Sequence, residues 1–320
     1  MDITADAIRT FVALCELRNF SKAAKKVFKS QSAVSTQIAA LEERAGVKFF
    51  DRSERPLKLT EAGQVFLNFS REFLNRLEEL DRFLKEIGTG LSGAVNVAAS
   101  TSLGTYLLPG LIAEILKNSP KLNLRLSVQG LGDVCDGVRY GDYDFGLVLT
   151  DEPPKSLVAR ALRKEPLCLV VSPQHPIVKR GIISPEELRT VPFIGGVKGN
   201  QWTDMIEGML KKNGVYDFPV GLRVNNQHAI KEAARLGLGV AVLPEFAAQR
   251  EIHDDTLRHL NVKNMRLDVS IMLVERPRFL ASPTVTTVKT FLEKRISRIL
   301  RRFFECVCGG STGYGFVKIG

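Results

Sequence analysis

In the first ninety residues, apolar positions recur at helical spacing in four blocks. Ala7, Ile8, Phe11, Val12, Leu14 and Cys15 mark a helix over residues 4–17, capped by Thr4 or Asp6. Asn19-Phe20-Ser21 ends it, and Ser21 is the expected cap of a short helix over 22–28 that packs through Ala23, Ala24, Val27 and Phe28. Lys29-Ser30-Gln31 turns the chain into a third helix over 32–45, with Val34, Ile38 and Leu41 inward and Gly46 as its stop. Ser32, Ser35, Thr36 and Gln37 then face outward near its start, where small polar side chains can meet base edges and phosphates in a major groove. Two short helices joined by a tight turn, the second with an exposed polar face, predict a helix-turn-helix. Extended segments at 47–52 and 57–60 flank a Pro-containing turn and predict a hairpin wing. Arg52, Arg55 and Lys58 of that wing are candidate phosphate contacts.

From Thr60 to Gly88 a long helix is expected, and its Phe73, Leu77, Leu80, Leu84 and Ile87 step by four and three, as along a coiled-coil seam. An ordinary core helix shares that spacing; the charge off the seam favours a strut between two copies. Beyond it the period alternates. Strands are expected at 93–99, 124–128 and 143–148, with helices at 103–117 and 134–140. After Pro153-Pro154 the pattern repeats, with strands at 167–171, 193–195, 221–224 and 240–244 and helices at 185–188, 202–212 and 229–236. A strand over 267–274 returns to the first unit, and a basic helix over 284–303 packs on it. This is an α/β pattern in two units with a cleft between them.

Ligands of open α/β sheets gather beyond the carboxyl ends of strands, at helix N-termini. Three segments fit: Ser100, Thr101 and Ser102; Gly195 to Gln201, before the Trp202 helix; and Asn225-Asn226-Gln227. Together they suit a small ligand carrying a carboxylate or similar anion. Plain caps and turns remain the alternative for any one of them.

Composition adds one fact. The 320 residues carry a net charge of +10, and it is concentrated. Ten basic residues stand against four acidic between 17 and 58, and six against one between 289 and 302; the rest is close to neutral. The first cluster coincides with the helix-turn-helix, and the second reads as a solvated helical face. An acidic N-terminus, five scattered Cys and the lack of a membrane-length apolar run point to a cytoplasmic protein without disulfides. Gly88-Thr89-Gly90-Leu91-Ser92-Gly93 spells a dinucleotide fingerprint but follows a helix and precedes a strand, so it reads as a hinge. Asp254-Asp255 beside His253 reads as a solvated loop, and no catalytic set or metal set assembles. Cys306-Val307-Cys308 supplies two ligands, half a zinc site. An enzyme, a metalloprotein and a cofactor protein are therefore not expected, and a solute-binding protein would leave residues 1–87 unexplained.

Phe20-Ser21-Lys22-Ala23-Ala24, Ser30-Gln31-Ser32-Ala33-Val34-Ser35-Thr36-Gln37-Ile38, Leu41-Glu42, Gly46-Val47-Lys48-Phe49-Phe50-Asp51-Arg52 and Leu59-Thr60-Glu61-Ala62-Gly63 follow in order. They resemble the N-terminal signature of the LysR-type transcriptional regulators. The resemblance is close over about sixty-five residues and continues by pattern. Two positions depart: the family often has Pro where this chain has Ser32, and Arg where it has Thr36, which removes a bidentate guanine reader. The resemblance implies an α+β multidomain architecture. It comprises a winged helix-turn-helix (1–59), a coiled-coil linker helix (60–88), two periplasmic-binding-protein-like regulatory subdomains (89–163 with 267–303, and 164–266) and a Gly-rich tail (304–320). Expected DNA contacts are Ser21, Gln31, Ser32, Ser35, Thr36, Gln37, Arg52, Arg55 and Lys58. Expected effector contacts are Ser100, Thr101, Ser102, Gly195, Lys198 and Gln227. Expected partners are double-stranded promoter DNA, a small-molecule effector and three further copies in a dimer of dimers, with RNA polymerase a further candidate and no membrane. The peroxide-sensing branch of that family carries a Cys pair in the second subdomain; here only Cys168 lies there, so a thiol sensor is the lesser expectation.

Overall fold

The computed structural model describes residues 3–51, 57–86 and 93–298. Helix α1 (Ala5–Leu17) starts where the Thr4 side chain accepts the Ala7 N–H at 3.3 Å, and ends as Arg18 turns left-handed at φ 48°. Helix α2 (Phe20–Lys26) is capped by Asn19, which accepts the Lys22 N–H, and not by Ser21. Asn and Ser both cap well; placing the cap two residues earlier lets Phe20 begin the helix and frees the Ser21 hydroxyl. Val27 closes α2, and Phe28 follows at φ 56°, 96% exposed. The left-handed step swings that ring off the packing side expected for it. Helix α3 (Gln31–Ala45) is capped by Ser30 and ends at Gly46, whose φ of 68° favours glycine. Strands β1 (Phe50–Asp51) and β2 (Lys58–Leu59) pair antiparallel as the base of the wing. Arg52 and Arg55 lie outside the described residues.

This head is organised around Phe11, which is fully buried; the rings of Phe49, Phe50 and Phe66 stand 5.4, 5.4 and 4.8 Å from it. Burying one such ring contributes roughly 1.5–3 kcal/mol. Helix α4 (Glu61–Glu86) joins this core through Leu67 and Phe66, then leaves it. Phe69, Phe73, Leu80 and Leu84 are exposed along α4. Its predicted end at Gly88 and the hinge glycines up to residue 92 lie outside the described residues.

The remainder centres on one mixed sheet. Strand β3 (Gly93–Ser100) leads through a π-helical turn, Leu103–Leu107, into α5 (Leu108–Asn118). Ser102 is already helical and makes no cap hydrogen bond, so it is not a plain helix cap. Then follow β4 (Leu122–Gln129), α6 (Leu131–Tyr140) and β5 (Phe145–Leu149). Strands β4 and β5 flank β3 in parallel. Strand β6 (Val158–Val171) is far longer than the 167–171 expected, because its first half carries Arg160, Arg163, Lys164 and Glu165 and hides its period. The second unit continues with β7 (Ile182–Ile183), α7 (Pro185–Leu188), β8 (Phe193–Gly195), α8 (Gln201–Lys212), β9 (Val220–Arg223), α9 (Gln227–Arg235), β10 (Ala241–Pro244), α10 (Glu245–His253), β11 (Arg258–His259) and β12 (Asn261–Val262). His253 ends α10, and Asp254 and Asp255 follow it in an exposed turn, in line with the solvated loop expected for that pair. Strand β13 (Asp268–Glu275) returns between β5 and β6, antiparallel to both, and α11 (Pro283–Arg298) packs back with Val285, Val288, Leu292 and Ile296 buried. The sheet order is β10-β6-β13-β5-β3-β4. Strand β6 pairs with β13 over Val158–Pro166 and with β10 over Leu167–Val170, so one strand serves both units.

The basic face of α11 is not simply solvated. Lys289 pairs with Glu275 at 2.6 Å and Arg295 with Glu114 of α5, while Glu293 takes Arg160 of β6. Residues 299–320, with Cys306 and Cys308, lie outside the described residues.

Candidate functional site: a DNA-facing helix and an inter-lobe cleft

The start of α3 presents Gln31, Ser32, Ala33 and Thr36 as exposed and Ser35 as half-buried, while Val34 and Ile38 are fully buried. The inward spacing therefore leaves the expected polar face outside. Ser32 Oγ lies 2.9 Å from Ser30 Oγ, and Ser21 donates to Gln31 Oε1 at 2.7 Å, tying α2 to the first residue of α3. Gln37 differs from a free reader: its Nε2 donates to Asp6 at 2.8 Å and its Oε1 accepts from Lys29 at 2.8 Å. Lys29 also reaches Asp6 and Thr10, so this cluster fixes α3 against α1. The same contacts hold the Asp6 carboxyl below the usual carboxylate range. Lys58 is exposed at the base of the wing, and Lys22 and Lys25 are exposed on α2.

Two residues here carry roles that periodicity does not reveal. Glu42, an acidic residue in a basic segment, is 2% exposed. Its Oε1 accepts the Phe49 N–H at 2.9 Å and the Phe50 N–H at 3.3 Å, and Lys48 pairs with Oε2 at 3.2 Å. It locks the recognition helix to the wing. Phe28, beside Lys29 and two residues before the α3 cap, is an exposed ring on a strongly basic turn.

At the other end of the molecule the three cleft segments meet. Ser102 donates to Gln227 Oε1, and both residues are buried. The Val224 N–H donates to the Gly195 carbonyl at 3.0 Å, and Gly195 pairs with Arg223, which places the second segment beside the third. Thr101 donates to the Gln129 carbonyl at 3.4 Å. Lys198 is exposed. Asn200 and Asn226 cap α8 and α9, as expected of residues before helices. In these segments and the helix that follows the second, two buried hydroxyls have no hydrogen-bond partner, Ser100 Oγ and Thr203 Oγ1; outside them Ser70 Oγ of α4 is another. Thr203 was not among the expected contacts: it lies one turn into α8, and nothing in its spacing marks it. A Cβ on Gly196 would stand 2.0 Å from its Oγ1, so Gly196 is small to admit that side chain. Trp202 precedes Thr203 and is half-buried.

The π-helical turn after Ser102 carries Tyr106 across to the second unit. Its hydroxyl meets His228 Nδ1 at 3.2 Å, and its ring lies 4.2 Å from Lys231 Nζ. Lys231 is 4% exposed and pairs with Glu251 at 2.7 Å. Burial first, and then Glu251 and Glu232, push the Tyr106 phenol up to about 12, so it stays neutral. Cys15, Cys135 and Cys168 are buried, and burial raises all three thiols, to about 12 for Cys15 and about 11 for Cys135. Among the described residues no group of three or more His, Cys, Asp or Glu side chains could hold a metal, and no helix is long and apolar enough to cross a membrane.

An exposed polar helix start on a winged scaffold, joined by a long helix to a two-lobed α/β unit, defines a DNA-binding regulator with a sensory domain. The chain belongs to the LysR family of transcriptional regulators. Residues 5–64 match the bacterial regulatory helix-turn-helix protein, lysR family, and residues 88–297 match the LysR substrate binding domain. It is therefore a DNA-binding transcription regulator with an effector-binding domain, in a family without enzymatic activity. A probable RuBisCO transcriptional regulator of Thalassiosira pseudonana is 30% identical over 284 residues, 87% of this chain and 92% of that protein. CysL of Bacillus subtilis is 25% identical, over 85% of this chain and 91% of that one. In fold it is similar to ArgP from Mycobacterium tuberculosis, at TM-score 0.71 and 20% identity, covering 93% of this chain and 98% of that one. CbnR, solved in complex with its target DNA, gives TM-score 0.67 at 21% identity, covering 92% and 100% of the two chains.

Proposed function

We propose that Ser32, Ser35 and Thr36 meet the major groove, with Gln31 at the helix start, while Lys58, Arg52 and Arg55 hold the backbone and Gln37 positions the helix from behind. Ser21 acts through Gln31. The exposed apolar seam of α4 supports pairing of two copies, which would set two recognition helices on successive turns of an imperfect palindrome. A dimer of dimers that bends promoter DNA follows from the family resemblance, and effector binding changes that bend. A bend angle that stays constant at saturating effector removes this part of the reading.

The effector lies between Ser100, Thr101, Ser102, Gly195, Lys198 and Gln227, joined by Thr203. The observation that carries this is a pair of buried hydroxyls without partners, Ser100 Oγ at the end of β3 and Thr203 Oγ1 on α8, beside the Ser102–Gln227 hydrogen bond that ties the end of β3 to the start of α9. Buried polar groups are normally satisfied, and a ligand with oxygen acceptors satisfies both. Two helix N-termini and Lys198 favour an anion. Native mass spectrometry of the purified protein should show a bound small molecule or, after dialysis, a thermal shift with a panel of small carboxylates and phosphates that matched neutral alcohols do not give. A shift that survives in a Ser100→Ala/Thr203→Val protein places the ligand elsewhere.

A further inference from the structure

Between Asn75 and Arg82 the face of α4 opposite its apolar seam is fastened to the first lobe. Asn75 donates to the Tyr140 carbonyl, Arg76 to the Arg278 carbonyl at 3.0 Å, Glu79 accepts from Arg276, and Arg82 holds both oxygens of Asp144 at 2.9 and 3.2 Å. Glu79 and Arg276 are each 4% exposed, and Asp144 is 2% exposed. This is a buried junction, unlike a surface ion pair, and losing one partner strands the other.

Two neighbouring residues receive this junction on the lobe side. Arg276 Nη1 donates to the Tyr143 carbonyl at 3.0 Å and to the Val138 carbonyl at 2.9 Å. Asp144 accepts the Asn96 N–H at 2.8 Å, which pins it to β3. The Tyr143 ring sits hard against Gly137, where a Cβ would stand 2.3 Å from Cε2, so the ring has no room to swing. Its hydroxyl accepts from Gln129 Nε2 at 2.9 Å. Gln129 is the last residue of β4, paired in register with Ser100, and its carbonyl accepts from Thr101. One continuous chain of contacts thus runs Thr101–Gln129–Tyr143–Arg276–Glu79, from the end of β3 to the linker helix.

We propose that Gln129 and Tyr143 form a relay by which what occupies the Ser100–Ser102 corner alters the grip of the first lobe on α4. A ligand that draws the Thr101 hydroxyl away releases the Gln129 backbone and the Gln129 amide pulls on the Tyr143 hydroxyl; because the wedged ring cannot swing apart from its backbone, the Tyr143–Asp144 corner moves with it and carries the change to Arg276 and Arg82. Because α4 also presents the pairing seam, the same movement turns one DNA-binding head relative to its partner. This rests on the reading that the effector binds at Ser100–Ser102, yet the relay can be measured without effector. Spatial continuity alone does not establish coupling; a double-mutant cycle does.

The experiment is amide hydrogen exchange over residues 73–84 in the full chain, free of DNA and at one oligomeric state verified by sedimentation. Thr101→Val, which keeps shape and removes the hydroxyl, should change exchange in this segment about threefold or more. In a Tyr143→Phe background the same substitution should change nothing. Asp144→Asn, which weakens the grip directly, should speed exchange in both backgrounds and shows that the segment responds. Additive effects of Thr101→Val and Tyr143→Phe, or an unchanged segment with Thr101→Val while Asp144→Asn is active, overturn the relay. Either outcome leaves the effector site to be judged by the mass spectrum and the thermal shifts alone.

Discussion

Replacing Glu42 by Ala should unfasten the DNA-binding head although no DNA-facing atom is touched. The carboxylate is the acceptor for two wing N–H groups, at Phe49 and Phe50, and it is almost wholly buried. Leaving a buried donor unsatisfied costs about 1–3 kcal/mol, so the two together cost roughly 3 kcal/mol after partial relaxation. The Lys48 pair adds little, because the lysine side chain is 73% exposed. For a head of this size each kcal/mol moves the midpoint by about 4–8 °C, which gives a loss on the order of 12–24 °C. Scanning calorimetry of the full chain reads this, with hydrogen exchange at the Phe49 and Phe50 amides assigning the transition to the head. Glu42→Gln keeps one acceptor oxygen and should lose only about 1 kcal/mol. If Glu42→Ala melts within about 0.5 kcal/mol of the parent, the carboxylate is not what holds helix and wing together.

Three other outcomes follow from the same geometry. Gly63→Ala places a Cβ 2.0 Å from the Phe49 carbonyl oxygen; overpacking of about 1–3 kcal/mol should exceed the ~1 kcal/mol helix gain. Gly208→Ala, with nothing within 4 Å, should keep that gain, and chemical denaturation of the two variants tests the contrast. Phe28→Ala should leave stability unchanged and weaken DNA binding about three- to tenfold, worth ~1 kcal/mol of ring contact; equal affinity by fluorescence anisotropy removes Phe28 from the interface. Alkylation at pH 8, mapped by mass spectrometry, should modify Cys15, Cys135 and Cys168 far more slowly in the folded chain than in urea, since burial keeps all three protonated.

Much of the head was readable because one face of each helix is buried and the 3.6-residue period reports it: Phe11, Leu14, Val34, Ile38 and Leu41 all lie in one core. Periodicity fails where polar atoms do the packing. Glu42 counts as a surface charge in any composition argument, and only the folded wing shows the N–H groups it serves. Gln37 has the right spacing for a base reader, but its amide is taken up by Asp6, 31 residues away, and by Lys29 on the preceding turn. The first half of β6 and the basic face of α11 were hidden for a related reason: their charges pair with one another across elements. Ser100, Ser102 and Gln227 were expected from the rule that ligands gather at strand ends, and the fold brings Ser102 and Gln227 together. Thr203 was not, because its significance is an unpaired hydroxyl, and pairing is invisible in one dimension.

The tryptophan at position 202, beside Thr203, is the only one in the chain. Intrinsic emission excited at the red edge therefore comes from a single half-buried indole beside Thr203 at the start of α8, with no label or added reporter. Stopped-flow mixing of the unmodified protein with a metabolite can time events around the start of α8, while changes confined to the DNA-binding head stay dark.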